Sequence, residues 1–190
     1  NPTTRRYLFV GKSGTGTLNQ QGGTVTVGTY LRIAEGSASH GAYNMSGGLL
    51  DVSDGYSIIL GRRNDGTFIQ SGGSVLGPTS TQGIYLGFDA NGVGEWQLSG
   101  SGNVNSGRFL RIGGEGKGIF TQTGGSVVVP TYAALGYSAG GVGTYTISAG
   151  TLDVDGTLYV GSGGTGTFHI IGDQATIEVD GYSQNADSTL

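Results

Sequence analysis

The feature that most constrains this chain is a repeat that runs almost from end to end. Seven segments open on a small residue preceded by an aliphatic one, at Gly11, Ala34, Gly61, Gly87, Gly113, Gly136 and Gly161, with intervals of 23, 27, 26, 26, 23 and 25 residues. A unit of that length cannot bury its own apolar face, so a period in this range marks an architecture built by stacking. Aligned, the segments form columns. Directly before the opening residue stand Val10, Ile33, Leu60, Leu86, Ile112, Leu135 and Val160, and two positions earlier stand Leu8, Leu31, Ile58, Ile84, Leu110, Ala133 and Leu158. A spacing of two places both columns on one face of a strand, and the long period lays each side chain over its counterpart in the next turn. A second strand supplies Val25, Leu50, Val75, Val104, Val127, Leu152 and Ile177. A first strand supplies Leu18, Tyr43, Phe68, Trp96, Phe120, Tyr145 and Phe168. These columns are the expected core.

Helix is excluded by the punctuation between them. Glycine fills 41 of 190 positions, each costs about 1 kcal/mol relative to Ala inside a helix, and no window carries apolar residues at helical spacing. The sequence therefore predicts an all-β, right-handed parallel β-solenoid of about seven coils of 23–27 residues, with three short strands per coil. Handedness follows the preference of parallel crossovers. At about 4.8 Å per coil, seven coils make a rod of roughly 35 Å. The chain reads as one domain over 1–190, with 1–10 ending a preceding coil, 11–160 forming six full coils and 161–190 the last coil and a closing segment. Pro78 and Pro130 follow the second strand, at corners that tolerate a lost donor.

A finer period lies inside the first. From each opening residue to the Gly that starts the first strand the offsets are 5, 7, 5, 7, 5, 7 and 5, so the true unit is two coils, about 50 residues. Odd coils carry Gln20, Gln70 and Gln122 where even coils carry Met45, Leu98 and Ile147, and the seventh coil breaks the rule with Ile170. The longer even turns project from one edge as a comb.

The runs GTGTLNQQGGTVTV followed by YLRI, GTFIQSGGSV, GIFTQTGGSVVV and GTYTISAGTLDV resemble the β-strand repeats of bacterial autotransporter passengers and of surface proteins bearing PEP-CTERM sorting tails. The ending FHIIGDQATIEVDGYSQNADSTL is similar to the closing segment of such regions, without a sorting tail or a transporter barrel. The resemblance implies secretion to an extracellular or bacterial cell-surface location and a structural or adhesive role. It carries no catalytic residue.

Composition removes several functions. No apolar stretch is long enough for a membrane-spanning helix and no secretion signal opens the chain, so no membrane insertion is expected. A net charge of −4 with only two lysines, Lys12 and Lys117, lacks the positive surface that nucleic acid requires. The absence of Cys removes disulfides, thiolate metal sites and thiol catalysis. Gly161–Gly166 has the letters of a dinucleotide fingerprint, but a strand follows where the motif needs a helix N-terminus. Gly11-Lys12-Ser13 echoes the end of a phosphate loop, yet Arg6 stands where that loop needs its first glycine. His40 and His169 lie five coils apart, which leaves neither a two-His metal site nor a His-based triad. No metal, cofactor or catalytic residue is expected.

Two columns invite chemistry and are weighed as surface features. Asp153 and Glu178 occupy one column in neighbouring coils, close enough for a glycosidase pair, with Asp51 too distant in the same column. They sit on a solvated strand face with no Arg beside them in sequence, as an ordinary surface pair would. Thr17, Thr67, Thr144 and Thr167 share an outward column of the kind ice-binding solenoids use, interrupted by Ala42, Glu95 and Ile119. Strand propensity accounts for it.

The outward columns of the third strand are the candidate site. They hold Tyr7, Tyr30, Phe109 and Tyr132 in one column and Phe9, Arg32, Ile59, Tyr85, Arg111 and Tyr159 in the other. Aromatic and Arg side chains are enriched at association surfaces, so lateral contact with another solenoid is the first expectation, stacking on surface glycans the second, and aromatics that merely fill a pleated face the bland alternative. Neither end shows an amphipathic cap, and exposed end rungs predict end-to-end stacking or a longer array. The sequence thus points to a non-enzymatic extracellular fibre or adhesive stalk that associates with itself. Glycan binding or cleavage is the alternative and ice binding a lesser one.

Overall fold

The computed structural model describes residues 6–189; residues 1–5 of the expected preceding coil, and Leu190, lie outside it. The described chain holds strands, turns and no helix, and all 17 strands belong to one parallel sheet wound into a solenoid of about seven turns. Leu8–Val10 ends the preceding coil. The first coil follows with Gly14–Gln20, Thr24–Thr26 and Tyr30–Ile33, and the second with Ser39–Met45, Leu49–Asp51 and Ser57–Leu60. The third and fourth keep this pattern. From the fifth coil the corners themselves are extended: Lys117–Val129 joins a first and second strand, and Val142–Val160 and Thr165–Gln184 each run round an entire coil. The expected three short strands therefore hold for four coils and merge in the last three. Register shifts mark the places where these long strands turn, between Gln122 and Ser126, between Ile147 and Ala149, and between Val154 and Thr157.

Register agrees with the sequence columns. Leu8 pairs with Leu31, Leu31 with Ile58, Ile58 with Ile84, Ile84 with Leu110, Leu110 with Ala133 and Ala133 with Leu158. The aromatic column is a continuous stack at the centre of the rod. Ring centroids of Tyr43 and Phe68 are 4.7 Å apart, of Phe68 and Trp96 4.4 Å, of Trp96 and Phe120 5.8 Å and of Phe120 and Tyr145 4.7 Å, all near parallel, and Phe168 closes the series edge-on. A further buried column, Val27, Val52, Val129 and Val154, escapes the sequence reading because Gly77 and Ser106 interrupt it at the corner that follows the second strand.

Two glycine positions per coil make the winding possible. Gly61 opens its coil at a φ of 63°, in the left-handed region, and Ala34 holds the same place at 61° as the one non-glycine residue there among the described residues. Gly66 starts the first strand against that opening turn. A Cβ on it would meet the backbone N of Gly61 at 2.3 Å and the carbonyl O of Ile33 at 2.4 Å, so only glycine lets the two segments approach.

The two-coil period has a hydrogen-bonding cause. Gln20 lies in the core and accepts from the Tyr43 hydroxyl of the next coil at 2.6 Å, while its amide donates to Gly23 O and Leu49 O. Gln122 repeats the arrangement with Tyr145 at 2.6 Å, Gly125 O and Thr151 O. In the middle pair Gln70 donates to Gly73 O and Asn103 O, but Trp96 stands in the place of the tyrosine. Gln70 Oε1 and Trp96 Nε1 are both buried without a partner. Odd coils thus provide the amide and even coils the hydroxyl, and one pair departs from the rule.

At the far end the last coil places Tyr182 and Gln184 where earlier coils place aliphatics. Residues 185–189 then return over the first strand, with Thr189 N–H donating to Gly166 O at 3.0 Å and Phe168 N–H to Thr189 O at 2.9 Å. The closing segment begins an eighth rung that the sequence reading leaves unpaired. Ile170 and Ile171 of the same coil remain about half exposed.

Gly66→Ala should destabilise the fold by about 3 kcal/mol or more, since backbone cannot yield to the added methyl, whereas Gly22→Ala, with open space around its Cβ, should change stability by less than about 0.5 kcal/mol. Urea unfolding of both variants checks the contrast. Tyr145→Phe should cost about 1–3 kcal/mol by orphaning Gln122 Oε1. Burial pushes the Tyr43 phenol up to about 12 and raises Tyr145 as well. Both groups keep their protons in the fold above the ordinary tyrosine value of about 10, so their contribution is complete below that pH; that of Tyr43 is lost as pH climbs towards 12, and that of Tyr145 is likewise lost on the alkaline side. An alkaline titration should show tyrosinate absorbance appearing together with loss of the strand circular-dichroism signal.

Candidate functional site

The third strand and the turn after it present one face of the rod, and the sequence-predicted residues all lie on it in register. Phe9 pairs with Arg32, Arg32 with Ile59, Ile59 with Tyr85, and Tyr85 with Arg111; in the other column Phe109 pairs with Tyr132. The face is not uniformly open. Ile59, Tyr85 and Phe109 are only 4–5% exposed and form a second hydrophobic cluster outside the main core, packed against Phe88 and Tyr132. The expectation of a solvent-facing array is corrected for these three. The cause is the turn: Phe88 folds back over the strand face and meets Tyr85 edge-on, a contact that strand alternation alone does not reveal. Tyr7, Tyr56 and Tyr159 remain 36–51% exposed, and Phe9, Tyr30, Arg32, Arg111 and Tyr132 are half-buried.

Ring geometry decides what the face can hold. Tyr7 stacks on Tyr30 at 5.7 Å and 9°, Tyr30 meets Tyr56 at 5.6 Å, and Phe109 stacks on Tyr132 at 5.2 Å. Guanidinium groups cover further faces: Arg32 lies 4.5 Å from the Tyr30 centroid, and Arg111 lies 4.1 Å from Phe109 and 3.6 Å from Tyr137. Stacked rings cover one another's faces, which a sugar platform needs free. Burial raises the phenols of Tyr85 and Tyr132, and the Arg111 charge partly opposes it.

The two arginines differ in their charge partners. Arg32 Nη1 meets Glu35 Oε1 at 2.6 Å, and Arg62 Nη1 from the next coil meets the same oxygen at 2.5 Å. Asp89 extends this network to Arg63 at 3.1 Å. Arg111 instead donates from Nε to the Tyr132 hydroxyl at 2.9 Å, reaches the same oxygen with Nη2, and reaches the Tyr85 hydroxyl with Nη1 at 3.4 Å.

The remaining candidates fall where the columns place them. Asp153 and Glu178 pair across adjacent rungs of the second strand and line an open recess with Ser126, Val128 and Thr151. Asp51 lies four rungs away from Asp153 in that column, through Leu76, Asn105 and Val128. Thr17 and Thr67 are separated by Ala42, and Thr67 and Thr144 by Glu95 and Ile119. His40 and His169 stay in separate coils. Among the described residues no three His, Asp or Glu side chains gather as a metal site, and no helix is long and apolar enough to cross a membrane. Comparison with protein-family models, with curated proteins and with solved structures finds no match to the chain.

Tyr85→Ser should lower stability by about 2–4 kcal/mol, because it opens a cavity beneath Phe88 and Phe109, while Tyr159→Ser should change it by less than about 1 kcal/mol. Thermal melts of the two variants test this division of one column into packing and surface.

Proposed function

We propose that the chain is a structural segment of an extracellular or bacterial cell-surface protein, a rigid β-solenoid rod that acts as part of a fibre or adhesive stalk. The observation that supports it best is the unbroken register of the rungs. The backbone ladder joins every described coil to the next, aliphatic columns fill the core up to the third side of the last coil and the aromatic stack runs from Tyr43 to Phe168, so mechanical load along the axis is shared by parallel hydrogen bonds rather than carried by one contact. The resemblance of the repeats to autotransporter and PEP-CTERM surface proteins agrees with that role.

Self-association is part of the proposal, and lateral contact is its main mode. Tyr7, Tyr56 and Tyr159 keep large exposed surfaces along one side of the rod. End stacking is the weaker mode, because Tyr182 and Gln184 make the last rung polar on its third side and residues 185–189 fold over its first. The aromatic faces are occupied by neighbouring rings, which favours protein contact over sugar stacking. Sedimentation velocity and negative-stain microscopy of the purified chain test the reading. Concentration-dependent growth into laterally associated rods is expected; only isolated rods of roughly 35 Å at high concentration would overturn it.

A further inference from the structure

Of the two outward cations on the third strand, only Arg111 has no carboxylate oxygen within 4.0 Å among the described residues. Its charge is met by the rings of Phe109 and Tyr137 and by the neutral hydroxyls of Tyr132 and Tyr85. A guanidinium has five N–H donors in a planar fork, and these hydroxyls engage one hydrogen on each nitrogen, so one on each Nη is left without an acceptor among the described residues. That arrangement suits a carboxylate, whose two oxygens match the spacing of such a fork. The guanidinium borders an open recess whose other walls are Tyr85, Phe88, Gly114, Glu115, Tyr137 and Ser138. Glu115 stands on this rim as a solvent-exposed side chain and does not reach the guanidinium.

The opposite sign lies on the second strand. Its outward columns carry charge only at Asp51, Asp153 and Glu178, and the last two sit on adjacent rungs, Asp153 beside the apolar Val128 and Glu178 exposed. Leu76, 38% exposed, continues the same column. One side of the rod therefore offers aromatic rings around an unmatched cation, and another offers carboxylates interleaved with aliphatic residues. We propose that the Arg111 recess is a carboxylate-binding site and that Asp153 or Glu178 of a second copy of this chain fills it. The proposal rests on the lateral-contact reading and names the two faces that meet. Such a contact joins unlike faces and leaves each rod one free face of either kind, so it adds further rods into a sheet or bundle, or into a ring where the rotation between rods closes.

Sedimentation velocity of the full chain, with Arg111→Gln, Arg111→Lys and the double variant Asp153→Asn/Glu178→Gln, tests it. Each variant should weaken self-association about tenfold or more, Arg111→Lys included because it keeps charge but loses the fork. The acidic-face variant leaves the Arg111 cage untouched, and circular dichroism confirms the fold of each. Mixing Arg111→Gln with the double variant provides a sharper readout: each has one working face, so the mixture should form dimers and stop there. Sodium glucuronate serves as a free carboxylate probe and should compete with wild-type association. Association unchanged in all variants would overturn this inference and leave lateral aromatic contact standing, whereas a wild-type chain that stays monomeric would overturn both. Glucuronate binding that needs Arg111, in a chain whose association ignores the acidic-face variant, would reject the second copy as the source.

Discussion

Parallel backbone hydrogen bonds hold each rung of this solenoid to the next with equivalent residues one above another, and the other properties of the molecule follow from that register. A single coil of about 25 residues has too little apolar surface to fold alone. Stacked in register, its Leu, Ile and Val columns become a continuous core, and its aromatic column becomes a pile of rings from Tyr43 to Phe168. The same constraint sets the glycines. Where the opening turn crosses the start of the first strand, backbone lies on backbone, and Gly66 and its counterparts are the residues that permit it.

Register also explains the alternation between coils. A buried glutamine is costly unless its amide and carbonyl are both satisfied. Gln20 and Gln122 achieve this by spanning two rungs, to a carbonyl in their own turn, a carbonyl in the next coil and a tyrosine hydroxyl above. The structural unit is therefore a pair of coils cross-linked through the core. Trp96 breaks the pattern: its large ring fits the stack between Phe68 and Phe120, but its N–H and Gln70 Oε1 are left unmatched.

Much of this is legible in the sequence because stacked repeats turn spatial neighbours into aligned letters. The columns through Leu31 and Ile33, the aromatic series and the two-coil offset are all readable without coordinates. The valine column through Val27 and Val154 is not, since Gly77 and Ser106 interrupt it just beyond the second strand, where alternation no longer reports which side faces in. The candidate face is legible only as a list of residues. Strand alternation assigns Ile59, Tyr85 and Phe109 to the outside, and it is right about direction, but Phe88 returns from the turn, with Tyr132 of a neighbouring rung, to cover them. A turn's path is set by φ angles and contacts that no periodicity encodes. The distinction between Arg32, neutralised by Glu35, and Arg111, left to aromatic rings and hydroxyls, likewise depends on which rung each turn residue leans towards.

The register itself can be measured directly. The chain has no cysteine, so each engineered pair reports one distance without interference. Thr144 pairs with Thr167 on the outer face of adjacent rungs, and Thr17 pairs with Ala42 near the other end. Neighbouring rungs lie about 4.8 Å apart, within reach of a disulfide, whereas the diagonal pair Thr144 and His169 lies about 8 Å apart, beyond it. Oxidation of Thr144→Cys/Thr167→Cys and of Thr17→Cys/Ala42→Cys should give nearly complete intramolecular cross-links, and Thr144→Cys/His169→Cys should give almost none. Equal cross-linking of the aligned and diagonal pairs, or of the diagonal pair alone, would contradict the stacked register on which the fold and its proposed role rest.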